Sequence, residues 1–590
     1  MERGFGCMRL STDPARHRST AEQVLDAAIQ AGATLLDTAD AYGLGAQDVG
    51  HNERLVAEAL RSAPGPIRVS TKGGMIRPGG RWVARGTRKH LLSAAEASAE
   101  RLGRPPDLFL LHAVDPRVPF ETSVRALAAV ESRGLARAVG LSNVRLDQLR
   151  RARELANIRA VQIAFHLFDG TAVRGGLLDY CRAEGVEFIA HSPLGGPRRS
   201  TRIGKHAVLR RLAANRSPQS LLLSWMRDVA PEVTTIPGTR VPGRVHELLE
   251  LEDLGNEARR ALDELSGFAR LLRVPRDERR PQDPTPGDVV LVMGSVGSGK
   301  SHYASTLVDA GYARLNRDLE GGTLAGLVPK LSTLLGAPNA RVVLDNTYRS
   351  RAQRNEVIEA SWESGYAVRG VMLGASVEQC RRNVVRRILD VLGRLPTPAE
   401  LKNGDPARGI VGPNAIDRFL REFEPPGEEE GFSMLESVPG GESKHQGTGS
   451  ATLIDVELIA SGMGRDDSLD PDQVALRPRT RTWLETRPTL LLTAWLPQAE
   501  GAPERADVCF RRLEALLGFP IHWETCVHPA GPPVCWCRRP LPGLALSLLR
   551  RSGAAPEDTV VLGSTPTDRS FARAAGLRFR SLEDVLQGLP

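Results

Sequence analysis

The sequence predicts an α/β protein of several domains: an N-terminal (β/α)8 TIM barrel followed by two further α/β units. Three observations predict it. Through residues 1–270, strand-like and helix-like segments alternate repeatedly, the pattern of βα units whose parallel strands close into a barrel. Near the middle, VVLVMGSVGSGKS (Val289–Ser301) runs an apolar, mostly β-branched strand into a loop with G-x-x-x-x-G-K-S spacing. From Ala451, ATLIDVELIASG opens a third α/β pattern. At 590 residues the chain is too long for one core, and its 41% hydrophobic and 25% charged content is that of a globular protein. A net charge of +8 permits phosphate-bearing partners without specifying one. No apolar run approaches the roughly 18 residues of a membrane span, and no secretory leader precedes the first periodic segment. Seven cysteines, few and unevenly spread, fit a reducing, cytoplasmic setting better than a disulfide framework.

In the first region the predicted strands include TLLDTADAY, PIRVSTKGG, DLFLLHAVD, ARAVGLSN, AVQIAFHL, VEFIAHSPL and VTTIPGTR, separated by helical stretches such as AEQVLDAAIQAG and KHLLSAAEASAERLG. Reacting groups of such barrels sit where strands end. The strand ends here carry Asp37 and Tyr42 (LLDTADAYG), Lys72 (STKGG) and His112 (LLHAVD). Reduction of a carbonyl by hydride needs a proton donor for the growing alkoxide. A tyrosine, with a pKa of about 10, gives up its proton more readily when a nearby cation stabilises the phenolate. Lys72 supplies that cation, Asp37 orients Lys72, and His112 donates a hydrogen bond to the substrate oxygen. This set resembles the aldo-keto reductases over residues 1–270. The resemblance implies NADPH as cofactor and a small carbonyl compound as substrate. It assigns nicotinamide contacts to Gly140, Leu141, Ser142 and Asn143, with Gln162 following in VQIAF. IPGTRVPGRVHE supplies Thr239, Arg240, Arg244 and Glu247, whose arginines suit a 2′-phosphate. His191 stands where the family usually puts an aromatic ring under the nicotinamide, and Gly238 and Leu248 replace a lysine and an asparagine.

Leu271 to Asp288, rich in proline and charge, predicts a linker (271–288). The next predicted domain is 289–437. Gly294, Gly297 and Gly299 let the backbone turn its N–H groups toward phosphate oxygens. Lys300 reaches the outer phosphates of ATP, Ser301 holds Mg²⁺, and the following helix presents its positive end. Asn316, Arg317 and Asp318 follow a short strand; Asp345, with Asn346, ends a buried one as a Walker-B-like acid. Arg382 and Arg386 lie i, i+4 on one helix face, flanked by Arg381 and Arg387. These features resemble the P-loop kinase domain of the polynucleotide kinase–phosphatases. The resemblance implies that Asp318 takes the proton from a 5′-hydroxyl and that Arg386, with Arg382, forms a lid over the nucleotide phosphates. The acceptor is a 5′-hydroxyl nucleic acid or a small-molecule hydroxyl; few aromatics argue against a base-stacking platform. GGESKHQGTGS predicts a second linker, 438–450.

Residues 451–590 carry TLLLTAWLP, CVHPAGPPVCWCRRPLPG and TVVLGSTPTDRSFARAAG. In order, these resemble the motifs of the Rossmann-like haloacid dehalogenase phosphatases, the cysteine segment being closest to the zinc loop of the histidinol- and heptose-bisphosphate branch. Cys526 and His528, then Cys535 and Cys537, give four N/S ligands spaced for one structural Zn²⁺. Asp455 stands as the nucleophile, Thr493 in the second motif, Arg539 in place of a lysine, and Asp568 in the last motif. Glu457 replaces the second acid, Leu458–Ile459 the usual Gly-Thr, and Ser564 another acid. A longer acid and a lost carboxylate weaken Mg²⁺ binding, which predicts a weak or inactive phosphatase. The whole reads as an NADPH-dependent reductase joined to ATP-dependent phosphoryl transfer. The alternative is a nucleic-acid 5′-end kinase or repair protein in which the barrel is a binding or sensor module.

Overall fold

Eight parallel strands in chain order carry the N-terminal half: β1 (Gly4–Gly6), β2 (Leu35–Asp37), β3 (Arg68–Gly73), β4 (Leu108–Leu111), β5 (Val139–Ser142), β6 (Ile158–Ala164), β7 (Glu187–His191) and β8 (Thr234–Thr235). The structure is a computed structural model that describes residues 2–403, 409–441, 447–463, 469–478, 480, 484, 489–496, 502–528 and 535–587. Side chains alternate across each strand: Leu108 and Leu110 join Leu35, Ala160, Ile189 and Ile236 inside the ring, while Phe109 and Leu111 pack outward under the helices. Just past β8, the Pro237 carbonyl accepts from the Gly6 N–H at 2.9 Å, so the last strand meets the first. A Cβ at Gly238 would sit 2.3 Å from the Gly6 carbonyl oxygen, which is why that seam is glycine. The connecting helices follow ordinary end rules; Arg88–Leu102, for example, is capped by the Thr87 side chain and ends at Gly103 with φ 69°.

The chain forms two compact units, Met1–Arg280 with Arg351–Glu356, and Pro281–Ser350 with Val357–Pro590. The second contains two five-stranded parallel sheets. One joins β9 (Asp288–Met293), β10 (Ala313–Leu315), β11 (Arg341–Asp345), β12 (Val368–Gly374) and β13 (Met434–Pro439) in the order β10-β11-β9-β12-β13. The other joins β14 (Ala451–Asp455), β15 (Leu490–Trp495), β16 (Ile521–Cys526), β17 (Thr559–Gly563) and β18 (Arg578–Ser581) in the order β16-β15-β14-β17-β18. In each, the first strand in sequence lies in the middle, and the loop after it opens at a reversal of strand order, where such sheets bind ligands.

One boundary differs from the expectation, and one predicted linker is folded in part. The sequence predicts 289–437 and 451–590 as separate domains, but they share a core. Val384, Val385 and Ile388 of helix Val377–Leu392 are buried with Trp536, Leu544, Leu548 and Phe571. The segment 271–288 contains the boundary between the two units, at Arg280/Pro281, and is folded in its first half. Helices Ala269–Arg273 and Arg276–Arg279 occupy its first half, and buried Arg279 donates to the Leu271 and Val274 carbonyls at 2.9 and 3.1 Å. The Thr285 N–H then donates to the Gly365 carbonyl at 2.8 Å, three residues before β9 begins. Its proline and charge serve turns here; Pro275 immediately precedes the second short helix. In the other predicted linker, Val438 and Pro439 complete β13 and 442–446 lie outside the described residues. Among the described residues no helix is long and apolar enough to cross a membrane.

Candidate functional site

The C-terminal ends of the barrel strands converge on one cavity of about 260 Å³, lined by Asp37, Tyr42, His112, Asn143, Gln162 and His191 among others. Lys72, 1% exposed, lies behind them. Its ammonium donates to both Asp37 carboxylate oxygens at 2.9 and 2.7 Å, to the Thr38 carbonyl at 2.8 Å and to the Tyr42 hydroxyl at 3.0 Å. Gln162 donates to Asp37 Oδ1 at 2.7 Å, fixing the carboxylate from the opposite wall of the barrel. Burial opposes the charge of Lys72, but Asp37 outweighs it and holds the ammonium above its usual range. Burial also pushes Tyr42 up to about 12, with Lys72 pulling the other way. The sequence led us to expect the lysine to prevail; without a ligand, desolvation does, and the tyrosine keeps its proton. His112 is held well below the usual histidine range, first by burial and then by Lys72, so it is neutral. Its Nδ1 is buried without a hydrogen-bond partner among the described residues.

Ser142 donates to the Gln162 carbonyl at 3.0 Å, and the Asn143 amide donates to the His112 carbonyl at 3.0 Å. Asn143 holds φ 57° and Ser192 φ 52°, a left-handed conformation that side chains avoid unless surroundings fix it. His191 bridges them, with Nε2 at 3.1 Å from Asn143 Oδ1 and Nδ1 at 3.2 Å from Ser192 Oγ. Burial and Lys72 lower it to about 4, so it too is neutral. The cavity lining ends at Gly238, and Thr239, Arg240, Arg244 and Glu247 lie beyond it. Arg240 pairs with Asp13 at 3.0 Å, while Arg244 is exposed and Glu247 sits on helix Val245–Leu249. Sequence reasoning missed Trp82. It stands beside a two-stranded hairpin, Met75–Ile76 with Val83–Ala84, edge-on to Tyr42 and His112 at 6.3 and 5.8 Å between ring centroids. The Arg77 guanidinium lies 3.9 Å over its ring. A 43% exposed tryptophan just after the lysine strand was the available signal.

A second cavity, about 790 Å³, opens at the end of β9. Gly297, Gly299, Lys300, Ser301, Asp318 and Asp345 all line it. Gly294 lies at the strand end with φ 146° rather than in the lining, and accepts from Lys300 through its carbonyl at 3.0 Å. Lys300 also donates to the Ser295 carbonyl at 2.6 Å; burial lowers it to about 8, with Asp345 opposing. Ser301 donates to Asp345 at 3.3 Å, and Arg314 binds the same carboxylate in a fork at 2.9 and 2.6 Å. The helix cap in NRD is Asn316, whose side chain accepts from the Asp318 and Leu319 N–H groups. That leaves the Asp318 carboxylate at the cavity, paired with Arg317 at 2.5 Å. The arginine expectation is corrected. Arg382 lies 3.5 Å from the Ala574 carbonyl, and neither it nor Arg386 lines the cavity; Asn383, Arg387 and Arg418 do. One residue turns a helix face by about 100°. The stripe Cys380, Val384 and Ile388 is buried in the shared core, which places 383 and 387 toward the loop.

At the end of β16, Cys526, His528, Cys535 and Cys537 present four ligand atoms within 4.8 Å of one another. Cys526 Sγ lies 3.9 Å from Cys535 Sγ and 3.6 Å from His528 Nδ1, which is 3.2 Å from Cys537 Sγ. The Cys526–Cys535 edge is near the ~3.8 Å of a tetrahedron with metal–sulfur bonds of about 2.3 Å, and the four atoms are close enough together to share one metal. Asp455 ends β14 beside Arg539 at 3.3 Å; Arg539 also donates to Asp568 at 2.5 Å and to the Thr493 hydroxyl. Burial raises Asp455 to about 6 against the pull of Arg539. Asp568 accepts from the Ser564 and Thr565 N–H groups at 3.1 and 3.0 Å, the work of a helix cap. Glu457 is exposed on the turn Val456–Leu458.

Comparison with known proteins identifies the first half. The model of the aldo/keto reductase family matches residues 4–266. An uncharacterized oxidoreductase of Schizosaccharomyces pombe is 32% identical over 272 residues, which cover 44% of this chain and 85% of that protein. An aldo-keto reductase of Gibberella moniliformis is 34% identical over 196 residues, 32% of this chain and 58% of that one. Among solved structures, the glycerol dehydrogenase of Gluconobacter oxydans aligns with a TM-score of 0.39 at 23% identity, over 46% of this chain and 92% of that one.

Proposed function

Because the chain belongs to the aldo/keto reductase family through residues 4–266, we propose that its barrel reduces the carbonyl of a small molecule with NADPH. The observation that carries this is the hydrogen-bonded line Asp37–Lys72–Tyr42 opening on a neutral His112 with an unpartnered nitrogen. Ser142, Asn143 and Gln162 form a polar, uncharged set at adjoining strand ends that suits a carboxamide-bearing ring, with the neutral His191 imidazole beside it. Arg240 and Arg244 would take the 2′-phosphate, Arg240 exchanging its partner Asp13. Bound there, the cofactor supplies the hydride. Tyr42 then gives its proton to the carbonyl oxygen, Lys72 stabilises the phenolate left behind, and Asp37 keeps Lys72 charged and aimed. His112 donates a hydrogen bond to the same oxygen and fixes its direction. The test is loss of NADPH absorbance with a panel of aldehydes, ketones and sugars. Turnover should exceed that with NADH; no oxidation with any class would overturn the proposal.

For the second unit, the meeting of Lys300, Ser301, Asp345 and Asp318 in one cavity favours ATP- and Mg²⁺-dependent transfer of a phosphoryl group to a hydroxyl. Asp318 is the base and Arg387, with Arg418, the cation set around the phosphates. The acceptor is a 5′-hydroxyl nucleic acid or a small molecule, and in the former case the barrel would serve a nucleic-acid repair protein. The Cys526, His528, Cys535 and Cys537 cluster fits Zn²⁺. The Asp455 site supports little phosphatase activity, since Arg539 already bridges the Asp455 and Asp568 carboxylates and Glu457 is exposed. Lys300 gives a pH signature. Contact with phosphate favours its charged form, so binding above its value of about 8 takes up a proton and binding well below does not. Calorimetry in buffers of different ionisation enthalpy should show more than half a proton taken up near pH ~8.5 and almost none in Lys300→Arg, whose guanidinium stays charged. Equal uptake by both proteins would rule Lys300 out as its source.

A further inference from the structure

We propose that the cysteine–histidine loop, acting through Trp536, positions one wall of the Gly294–Ser301 cavity, so that metal loading in the third sheet governs nucleotide binding beside the second. The inference rests on the reading of that cavity as an ATP site. Trp536 sits between two of the four ligand residues, Cys535 and Cys537, and is fully buried. Its indole N–H, the only polar group of the side chain, donates to the Val411 carbonyl at 2.8 Å. Val411 lines the cavity, as do Ala415, Arg418 and Phe419 of helix Asn414–Glu422, which begins three residues later. A metal joining the two thiolates would fix the backbone on both sides of Trp536, and the tryptophan would hand that fixation to the wall.

A second tie is independent of the indole. The Trp536 carbonyl accepts from the Gly543 N–H at 3.2 Å, at the start of helix Gly543–Ser552. From the other end of that helix, Arg550 pairs with Asp390, which also lines the cavity. The floor between the two ties is helix Val377–Leu392, whose apolar stripe shares a core with Trp536 and whose Asn383 donates to the Gly297 carbonyl at 2.8 Å. The metal loop therefore holds two points of the cavity rim, Val411 and Asp390, and packs against the helix that braces the glycine loop. This accounts for a complete set of four ligands in a domain whose own acidic site is depleted.

The experiment is hydrogen–deuterium exchange of the full chain, read at amides 411–419, alongside calorimetric titration with ATP and Mg²⁺. Three samples are compared: the metal-loaded protein, the same protein stripped by chelator, and Trp536→Phe, which keeps a ring and loses the donor. Metal analysis should find Trp536→Phe still loaded. Exchange at 411–419 should rise about tenfold in both altered samples, with β9 amides unchanged as the control for global unfolding. ATP affinity should fall about fivefold, the weight of one neutral hydrogen bond. Exchange that ignores both changes overturns the proposal, as does ATP affinity that stays constant while exchange rises. Protein purified without metal also overturns it. If exchange rises but the loaded protein itself fails to bind ATP, positioning by Trp536 stands and the nucleotide assignment falls.

Discussion

Tyr42→Phe should lower kcat for carbonyl reduction by about 10²–10⁴-fold while leaving NADPH affinity within a factor of about two, the signature of a lost proton donor. The change removes one oxygen, and with it the acceptor of a 3.0 Å hydrogen bond from Lys72. Lys72 keeps three other acceptors, the two Asp37 oxygens and the Thr38 carbonyl, so its charge remains paired and the structural cost stays near 1 kcal/mol. That makes Tyr42 a better probe than its neighbours. Lys72→Met would leave Asp37 charged and buried at 2% exposure, and stranding one member of a buried ion pair costs about 3–5 kcal/mol. Lost activity there would not separate chemistry from folding. Fluorescence titration with NADPH and a thermal melt should therefore match the unaltered protein while turnover collapses. Reduction surviving within about tenfold would remove Tyr42 from the mechanism and direct attention to His112 as donor.

What the sequence made legible follows how local each determinant is. Strands β2 to β8 announce themselves as β-rich runs followed by polar strand ends, and the set Asp37, Tyr42, Lys72 and His112 is read off in order because barrel strands present their C-terminal ends to one face. β1, Gly-Phe-Gly, carries no such signal; glycine weakens strands, and these two are glycine because a Cβ at Gly4 or Gly6 would sit 2.7 or 2.8 Å from atoms of Ile236 across the seam. Trp82 was overlooked because its place beside the site depends on a hairpin bringing it to Tyr42, a contact between residues 40 positions apart. The arginine lid failed for a related reason. Four arginines on one helix look alike in sequence, and only packing of Cys380, Val384 and Ile388 against the third sheet decides that Arg387 rather than Arg386 faces the glycine loop. The same packing merges two expected domains. Composition marks 271–288 as a linker, and the boundary between the two units falls there; what composition does not record is that buried Arg279 donates to two nearby carbonyls and folds the first half.

Lys300→Ala should reduce phosphoryl transfer by about 10²–10³-fold, the effect of removing one preorganised cation from a transition state whose charge lies on phosphate oxygens. The side chain is now folded onto the Gly294 and Ser295 carbonyls, so it must leave them to meet a phosphate. The exchange is favourable because two neutral acceptors give way to an anion in a buried site. The assay uses γ-labelled ATP with 5′-hydroxyl DNA and RNA and, in parallel, the product of the barrel. Asp318→Ala is the companion variant. It keeps the Asn316 cap, which draws on the backbone N–H of residue 318 and not its carboxylate, so folding of the turn is retained while the base is lost. Label on an oligonucleotide that disappears in both variants makes the second unit a nucleic-acid kinase. Label only on the reduced product makes the chain a two-step enzyme acting on one metabolite. Both residues belong to the second unit, so NADPH oxidation should continue at full rate; its loss in Lys300→Ala would mean that occupancy of the glycine loop controls the reductase. Transfer that persists in Lys300→Ala would remove the glycine loop from the chemistry altogether.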